Sequence, residues 1–199
     1  MKKILFFFTT LIFSLAVNAA QFEQGTHYKV LEEPKSSTPK VTEFFSFYCP
    51  HCYNFEPVIN QLKASLPEDT KLEKVHVAFM GNDMAVPMAK SYATMVALDA
   101  EETMVPAMFK QIHELKAPPK DEQALRQVFV DNGIAGEKFD SAYNSFVVNS
   151  MQRGFDKQFN KSTLTGVPGV VVNNKYLVKT EQIGSFEEYS QLVNYLLTL

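Results

Sequence analysis

The sequence predicts an α/β domain interrupted by an all-helical insertion. Short strand-like segments lie near both ends of the chain. Between them, from about 82 to 160, a methionine- and alanine-rich stretch holds four or five helical segments separated by glycine or proline. The elements follow in order. Tyr28-Lys29-Val30-Leu31 is a short strand, and Pro34 to Pro39 is a turn segment. Val41 to Tyr48 is apolar on both alternating faces, which suits a central strand covered on both sides. Phe55, Val58, Ile59, Leu62 and Leu66 recur at helical spacing, and Val75, Val77 and Phe79 alternate as a second strand. Phe139, Tyr143, Phe146, Val147, Met151 and Phe155 follow one helix face. Val170-Val171-Val172 and Tyr176-Leu177-Val178 form a hairpin across Asn173-Asn174, and Phe186 to Leu197 closes the chain as an amphipathic helix.

The first residues set an expected compartment. Met1-Lys2-Lys3 is a basic start, Ile4 to Val17 is almost uninterrupted apolar sequence, and Val17-Asn18-Ala19 offers small residues for a signal peptidase. At about 14 residues the apolar run falls short of the roughly 20 that span a bilayer. Residues 1–19 are therefore expected to be a cleaved secretory signal. The whole chain of 199 residues carries a net charge of −3, and loss of Lys2 and Lys3 makes the remainder more acidic. With no basic block, nothing points to nucleic-acid binding.

The chain has two cysteines, Cys49 and Cys52. A disulfide between them would close so short a loop that it would remove little freedom from the unfolded chain, so it makes a poor staple. A zinc knuckle would need further ligands, and His27, His76 and His113 are isolated in sequence. Catalytic thiol chemistry remains. Pro50 suits the first position of a helix, which makes Cys49 its N-cap. There a sulfur faces unpaired N–H groups and the positive end of the helix dipole, an arrangement that favours the thiolate. Cys52 falls on the same face of the first turn, so Cys49 is expected to be the exposed attacking thiol and Cys52 the inward resolving one. His51 either adds a donor that stabilises the thiolate or is an exposed spacer. Stabilising a thiolate stabilises the reduced form, and the disulfide becomes a stronger oxidant.

At this point a family resemblance is specific. Phe44-Phe45-Ser46-Phe47-Tyr48-Cys49-Pro50-His51-Cys52-Tyr53, Phe79-Met80-Gly81, Phe146-Val147-Val148 and Gly166-Val167-Pro168 are similar to the DsbA family of periplasmic disulfide donors, over nearly the whole chain. The resemblance implies a thioredoxin-like fold with an all-helical insertion domain: 20–81 and 149–199 as the two parts of the thioredoxin-like domain, and 82–148 as the insertion. It also implies a disulfide-donating oxidoreductase acting on exported, unfolded polypeptides with reduced cysteines. Reoxidation would fall to a quinone-linked membrane partner of the DsbB type. The expected catalytic set is Cys49, Cys52, His51 and Pro50, with no metal or bound cofactor.

In that family the proline matching Pro168 is cis and lies against the active-site sulfurs. Proline has no N–H to offer the strand ladder, and Val167 before it is expected to pair with an extended substrate by strand addition. An ordinary trans proline at a strand edge is the alternative. Glu43 interrupts an otherwise apolar strand, where an unpaired charge is costly. Either Lys74 on the next strand pairs with it, as a supporting proton and charge pair beneath the site, or Glu43 reaches solvent. Pro57 should kink the active-site helix, and Gly169 stands where the family often has alanine. Two rivals remain open: an isomerase or reductase with the same tetrad, and a peptide-binding holdase without redox chemistry. Isomerases commonly carry a dimerisation domain that is missing here, which counts against that rival, and a monomer is expected.

Overall fold

A computed structural model describes residues 22–199; the expected signal segment at 1–19 lies outside the described residues. The elements run β1 (Tyr28–Val30), β2 (Lys40–Phe45), α1 (Pro50–Ser65), β3 (Lys71–His76), α2 (Ala85–Ala97), α3 (Glu101–Phe109), a π turn at Lys110–Glu114, α4 (Glu122–Asp131), α5 (Gly136–Tyr143), α6 (Phe146–Ser162), β4 (Gly169–Val172), β5 (Tyr176–Val178) and α7 (Phe186–Thr198). The strands form one sheet in the order β1-β5-β4-β2-β3. β2 and β3 pair in parallel, and α1 supplies the crossover that parallel neighbours need. The other pairs are antiparallel.

β2 runs centrally because its side chains are buried on both faces from Val41 through Phe45. One core packs Ile59 and Leu62 of α1 and Leu192, Val193 and Leu196 of α7 against Val41, Val170 and Val172. The second joins Phe44, Phe45, Phe47 and Val75 to the helical segment through Met88, Tyr92, Met95, Met104, Met108 and Phe109, and includes both cysteines. Unbranched methionines, which adapt to irregular gaps, fill this seam between the sheet and the helices.

The β4–β5 hairpin turns where the sequence places it. Asn173 (φ 52°) and Asn174 (φ 60°) both take the left-handed conformation, and the Lys175 N–H closes the turn on the Val172 carbonyl at 3.0 Å. Asn173 does more than turn the chain. It is 1% exposed, its Oδ1 accepts the Lys40 N–H at 3.0 Å, and its Nδ2 donates to the Leu197 carbonyl at 3.3 Å. Asn173→Ala should strand the Lys40 N–H and cost about 2–3 kcal/mol, seen as a lower urea midpoint with an unchanged m-value.

Two expectations need correction. The apolar face from Phe139 to Phe155 is split between α5 and α6. Ser145 stops one helix and starts the next, its Oγ accepting the Val148 N–H at 3.1 Å as an N-cap. The break sends Phe146 (80% exposed) and Val147 (59%) to the surface, whereas Phe139, Tyr143 and Phe155 stay buried. Phe79 is likewise 51% exposed, because β3 ends at His76 and only Val75 and Val77 of the alternating trio are buried. Pro57, the expected kink position, lies inside α1, which runs on to Ser65.

Candidate active site

The loop from β2 into α1 is tied down residue by residue. Ser46 is fully buried; its carbonyl accepts the Cys49 N–H at 3.1 Å and its hydroxyl accepts the Tyr48 N–H at 3.2 Å. Cys49 then caps α1 with extended backbone (φ −89°, ψ 112°), and Pro50 opens the helix. The Cys49 Sγ accepts the Cys52 N–H at 3.1 Å. That bond satisfies one of the orphan donors of the helix start with sulfur. No acidic side chain lies in the first turn to compete for the positive end of the helix. Gly81 makes room beside the loop: it has φ 103°, and a Cβ there would lie 2.3 Å from the Tyr48 ring.

Both cysteines carry free thiols and both are buried, Cys49 at 3% exposure and Cys52 at 0%. Cys49 is therefore not the exposed thiol expected: its sulfur is enclosed between the Cys52 N–H and the Val167 carbonyl. Their environments still differ. Burial pushes the Cys52 thiol far above its ordinary range; its contact with Cys49 and the charge of Glu43 add to this, and a bond from the Ser46 backbone opposes it. Cys52 thus stays a neutral thiol.

Val167 and Pro168 come in from the other end of the chain. The Val167–Pro168 bond is cis, and the Val167 carbonyl lies 3.5 Å from the Cys49 Sγ. A groove of about 640 Å³ opens beside them, lined by His51, Leu164, Pro168, Gly169, Leu177 and Tyr189. Gly169 leaves its space to Leu164: a Cβ there would lie 2.7 Å from both methyl groups of that side chain. His51 is exposed at the groove wall, and its ring makes no hydrogen bond or ion pair among the described residues.

Beneath the cysteines, Glu43 and Lys74 are direct register partners on β2 and β3. Lys74 Nζ lies 3.0 Å from Glu43 Oε2, and Glu43 is fully buried. The solvent-reaching alternative for Glu43 is excluded. The sequence reading missed a third member: Glu56 of α1 also pairs with Lys74. Its position four residues after Cys52 on the same helix face was the available signal. One lysine shared by two acids neutralises each incompletely. Burial consequently dominates at Glu43 and pushes its carboxyl up to about 7, with Lys74 pulling back and Glu56 pushing the same way as burial. Two histidines that looked isolated in sequence, His76 and His113, both bond the backbone of Phe47. Among the described residues no group of three or more His, Cys, Asp or Glu side chains could hold a metal ion.

A family model described as the DSBA-like thioredoxin domain matches residues 40–191. The chain belongs to this family. Its DsbA relatives match end to end. The thiol:disulfide interchange protein DsbA of Pectobacterium carotovorum is 37% identical, covering 100% of this chain and 99% of its own length. The protein of the same name from Escherichia coli K12 is 36% identical, covering 98% of each. Among solved structures, a cysteine-to-serine variant of Proteus mirabilis DsbA with a non-covalently bound peptide superposes with a TM-score of 0.84 at 34% identity, covering 90% of this chain and 100% of the other. The fold is thioredoxin-like with a helical insertion, and the chain is a thiol:disulfide oxidoreductase.

Proposed function

We propose that this chain donates its Cys49–Cys52 disulfide to newly exported polypeptides. The observation that carries the reading is the Cys49 sulfur, held at the start of α1 by the Cys52 N–H and facing the Val167 carbonyl, next to the cis proline that lines the groove. A substrate thiolate attacks the Cys49 sulfur, the S–S bond breaks, and Cys52 leaves as a thiolate that takes up a proton. A second substrate thiolate attacks the substrate sulfur of the mixed disulfide and expels the Cys49 thiolate, which the helix start stabilises. The substrate loses two electrons and gains a disulfide, and the protein is left as a dithiol. A quinone-linked membrane oxidase of the DsbB type takes those electrons back out.

In this reading Cys49 is the attacked and leaving sulfur and Cys52 its resolving partner. Pro50 starts the helix, and His51 favours the thiolate from the groove wall. Val167 pairs with an extended substrate, and Pro168 shapes the groove beside the sulfur. Glu43, with Lys74, stores the proton that Cys52 gives and takes. Residues 20–81 and 149–199 carry this machinery and 82–148 cover it. The protein works in the periplasm, as a monomer, after removal of residues 1–19.

The deciding experiment is the redox equilibrium with glutathione. A donor leaves glutathione oxidised and itself reduced at buffer potentials where a reductase would hold its disulfide. His51→Pro should shift that equilibrium toward the disulfide by tens of millivolts, roughly 30 mV for each 1.4 kcal/mol of lost thiolate stabilisation. An equilibrium in the reductase range would reverse the proposed direction of transfer. Binding of unfolded polypeptide that survives loss of both cysteines, with no exchange in the intact protein, would mark a holdase instead.

A further inference from the structure

Phe47 stands two residues before Cys49, and histidine side chains hold both of its backbone polar groups. Its N–H donates to His76 Nε2 at 3.0 Å, and its carbonyl lies 2.7 Å from His113 Nε2. A carbonyl only accepts, so His113 Nε2 carries the proton, whereas His76 Nε2 presents its lone pair. The two rings arrive from different parts of the fold. His76 ends β3 and is fully buried against Phe45 and Phe47, with ring centroids 5.1 Å away in each case. Burial pushes it down to about 3, so it stays a neutral acceptor.

His113 comes from the helical segment, on the π turn Lys110–Glu114. A π turn is uncommon, and its wider backbone re-aims the side chains it carries. Here it turns two consecutive residues onto the first turn of α1. The His113 ring stacks on Tyr53 at 5.0 Å and 9°, and the Tyr53 hydroxyl donates to Glu114 Oε1 at 2.7 Å. Tyr53 directly follows Cys52. The helical segment thus grips the chain on both sides of the Cys49–Cys52 tetrad.

We propose that His113 is a positioning residue for Cys49, acting through the Phe47 carbonyl to hold the loop in which the Cys49 sulfur meets the Cys52 N–H. The two redox states need this grip unequally. In the oxidised protein the S–S bond itself holds Cys49 against the first turn. In the dithiol no covalent bond does so, and the loop has to keep the sulfur within 3.1 Å of its donor. Releasing the Phe47 carbonyl therefore weakens the dithiol form more than the disulfide form. The inference rests on the proposed redox role of the two cysteines.

The test compares His113→Leu, which keeps bulk and loses the donor, with His113→Gln, which keeps an N–H donor. Two readouts are taken on full-length mature protein: the equilibrium constant with glutathione, and the alkylation rate of Cys49 at pH 6. His113→Leu should shift the equilibrium about fivefold toward the disulfide and slow alkylation by a similar factor, as expected for the loss of one net hydrogen bond. His113→Gln should stay within about twofold of wild type on both. A folded His113→Leu protein with both values unchanged overturns the proposal, and so does a Gln variant as impaired as Leu. Should His113→Leu fail to fold, proton NMR of the reduced wild type decides: a slowly exchanging His113 Nε2 proton supports the bond, and a freely exchanging one overturns it. A wild type with no measurable glutathione equilibrium would sink the redox reading alone, because the alkylation rates still report on the clamp.

Discussion

Reduced protein is expected to resist urea better than oxidised protein, by about 3 kcal/mol. The Cys52 N–H bond to the Cys49 sulfur and the positive end of α1 both act on a thiolate, and a thiolate exists only after reduction. A hydrogen bond to a charged group contributes about 1.5–3 kcal/mol, and a helix terminus up to about 2 kcal/mol where partly buried. Against this, the disulfide spans only two intervening residues and gives the unfolded state little constraint. Folding and reduction form a closed cycle. The stability difference must therefore equal the difference in reduction free energy between folded and unfolded chain, and 3 kcal/mol corresponds to roughly 60 mV toward the oxidising side. Circular dichroism melts of both forms measure one side of the cycle and the glutathione equilibrium measures the other; the sequence has no tryptophan to report by fluorescence. A higher midpoint for the oxidised form would make the bond a structural one and remove the basis for disulfide donation.

Glu43→Gln is expected to remove a loss of stability that wild type suffers between pH 4.5 and 8. The folded protein holds the Glu43 proton more tightly than the unfolded chain does, since burial raises the carboxyl from 4.5 to about 7. A raised carboxyl stabilises fully below its unfolded value and loses that contribution as pH rises through its folded value. The span corresponds to about 3 kcal/mol for a group wholly out of solvent. Glu43 Oε1 has no hydrogen-bond partner, which is why ionisation is poorly supported there. Lys74 does not cancel the effect. Burial works to lower it, but the charges of Glu43 and Glu56 prevail and raise it above 10.5, so its titration lies outside the window. Urea melts at pH 4.5, 6 and 8 should show wild type falling relative to the glutamine variant by about 2–3 kcal/mol. Parallel profiles would mean that Glu43 is ionised throughout and that the proposed proton store beneath Cys52 does not exist.

Much of this site was legible because it is local. Proline at the first helical position, a capping sulfur before it and a second cysteine one turn on are relations within four residues, governed by backbone sterics and near-neighbour hydrogen bonds. The Asn173-Asn174 turn is of the same kind, since two left-handed residues between alternating apolar segments leave few other conformations. The Glu43–Lys74 pair was reachable too, because an acid in a buried strand must find a cation and parallel neighbours offer few. The apolar period from Phe139 to Phe155 is misleading because it continues by coincidence across Ser145, which is a cap.

What the sequence determined by itself is the chemistry: two thiols, a helix start to hold one of them, strands and a helical segment of the right kinds in the right order. The surroundings of that chemistry came from long-range packing. Val167 reaches Cys49 across 118 positions, and His113 and His76 reach Phe47 across 66 and 29. No periodicity encodes such pairs, because they depend on how the helical segment and the last hairpin pack onto β2. The physical reason is one of range. Local conformation follows from each residue and its near neighbours, whereas long-range contacts follow from the burial of whole faces, and that is settled only when every element finds its place.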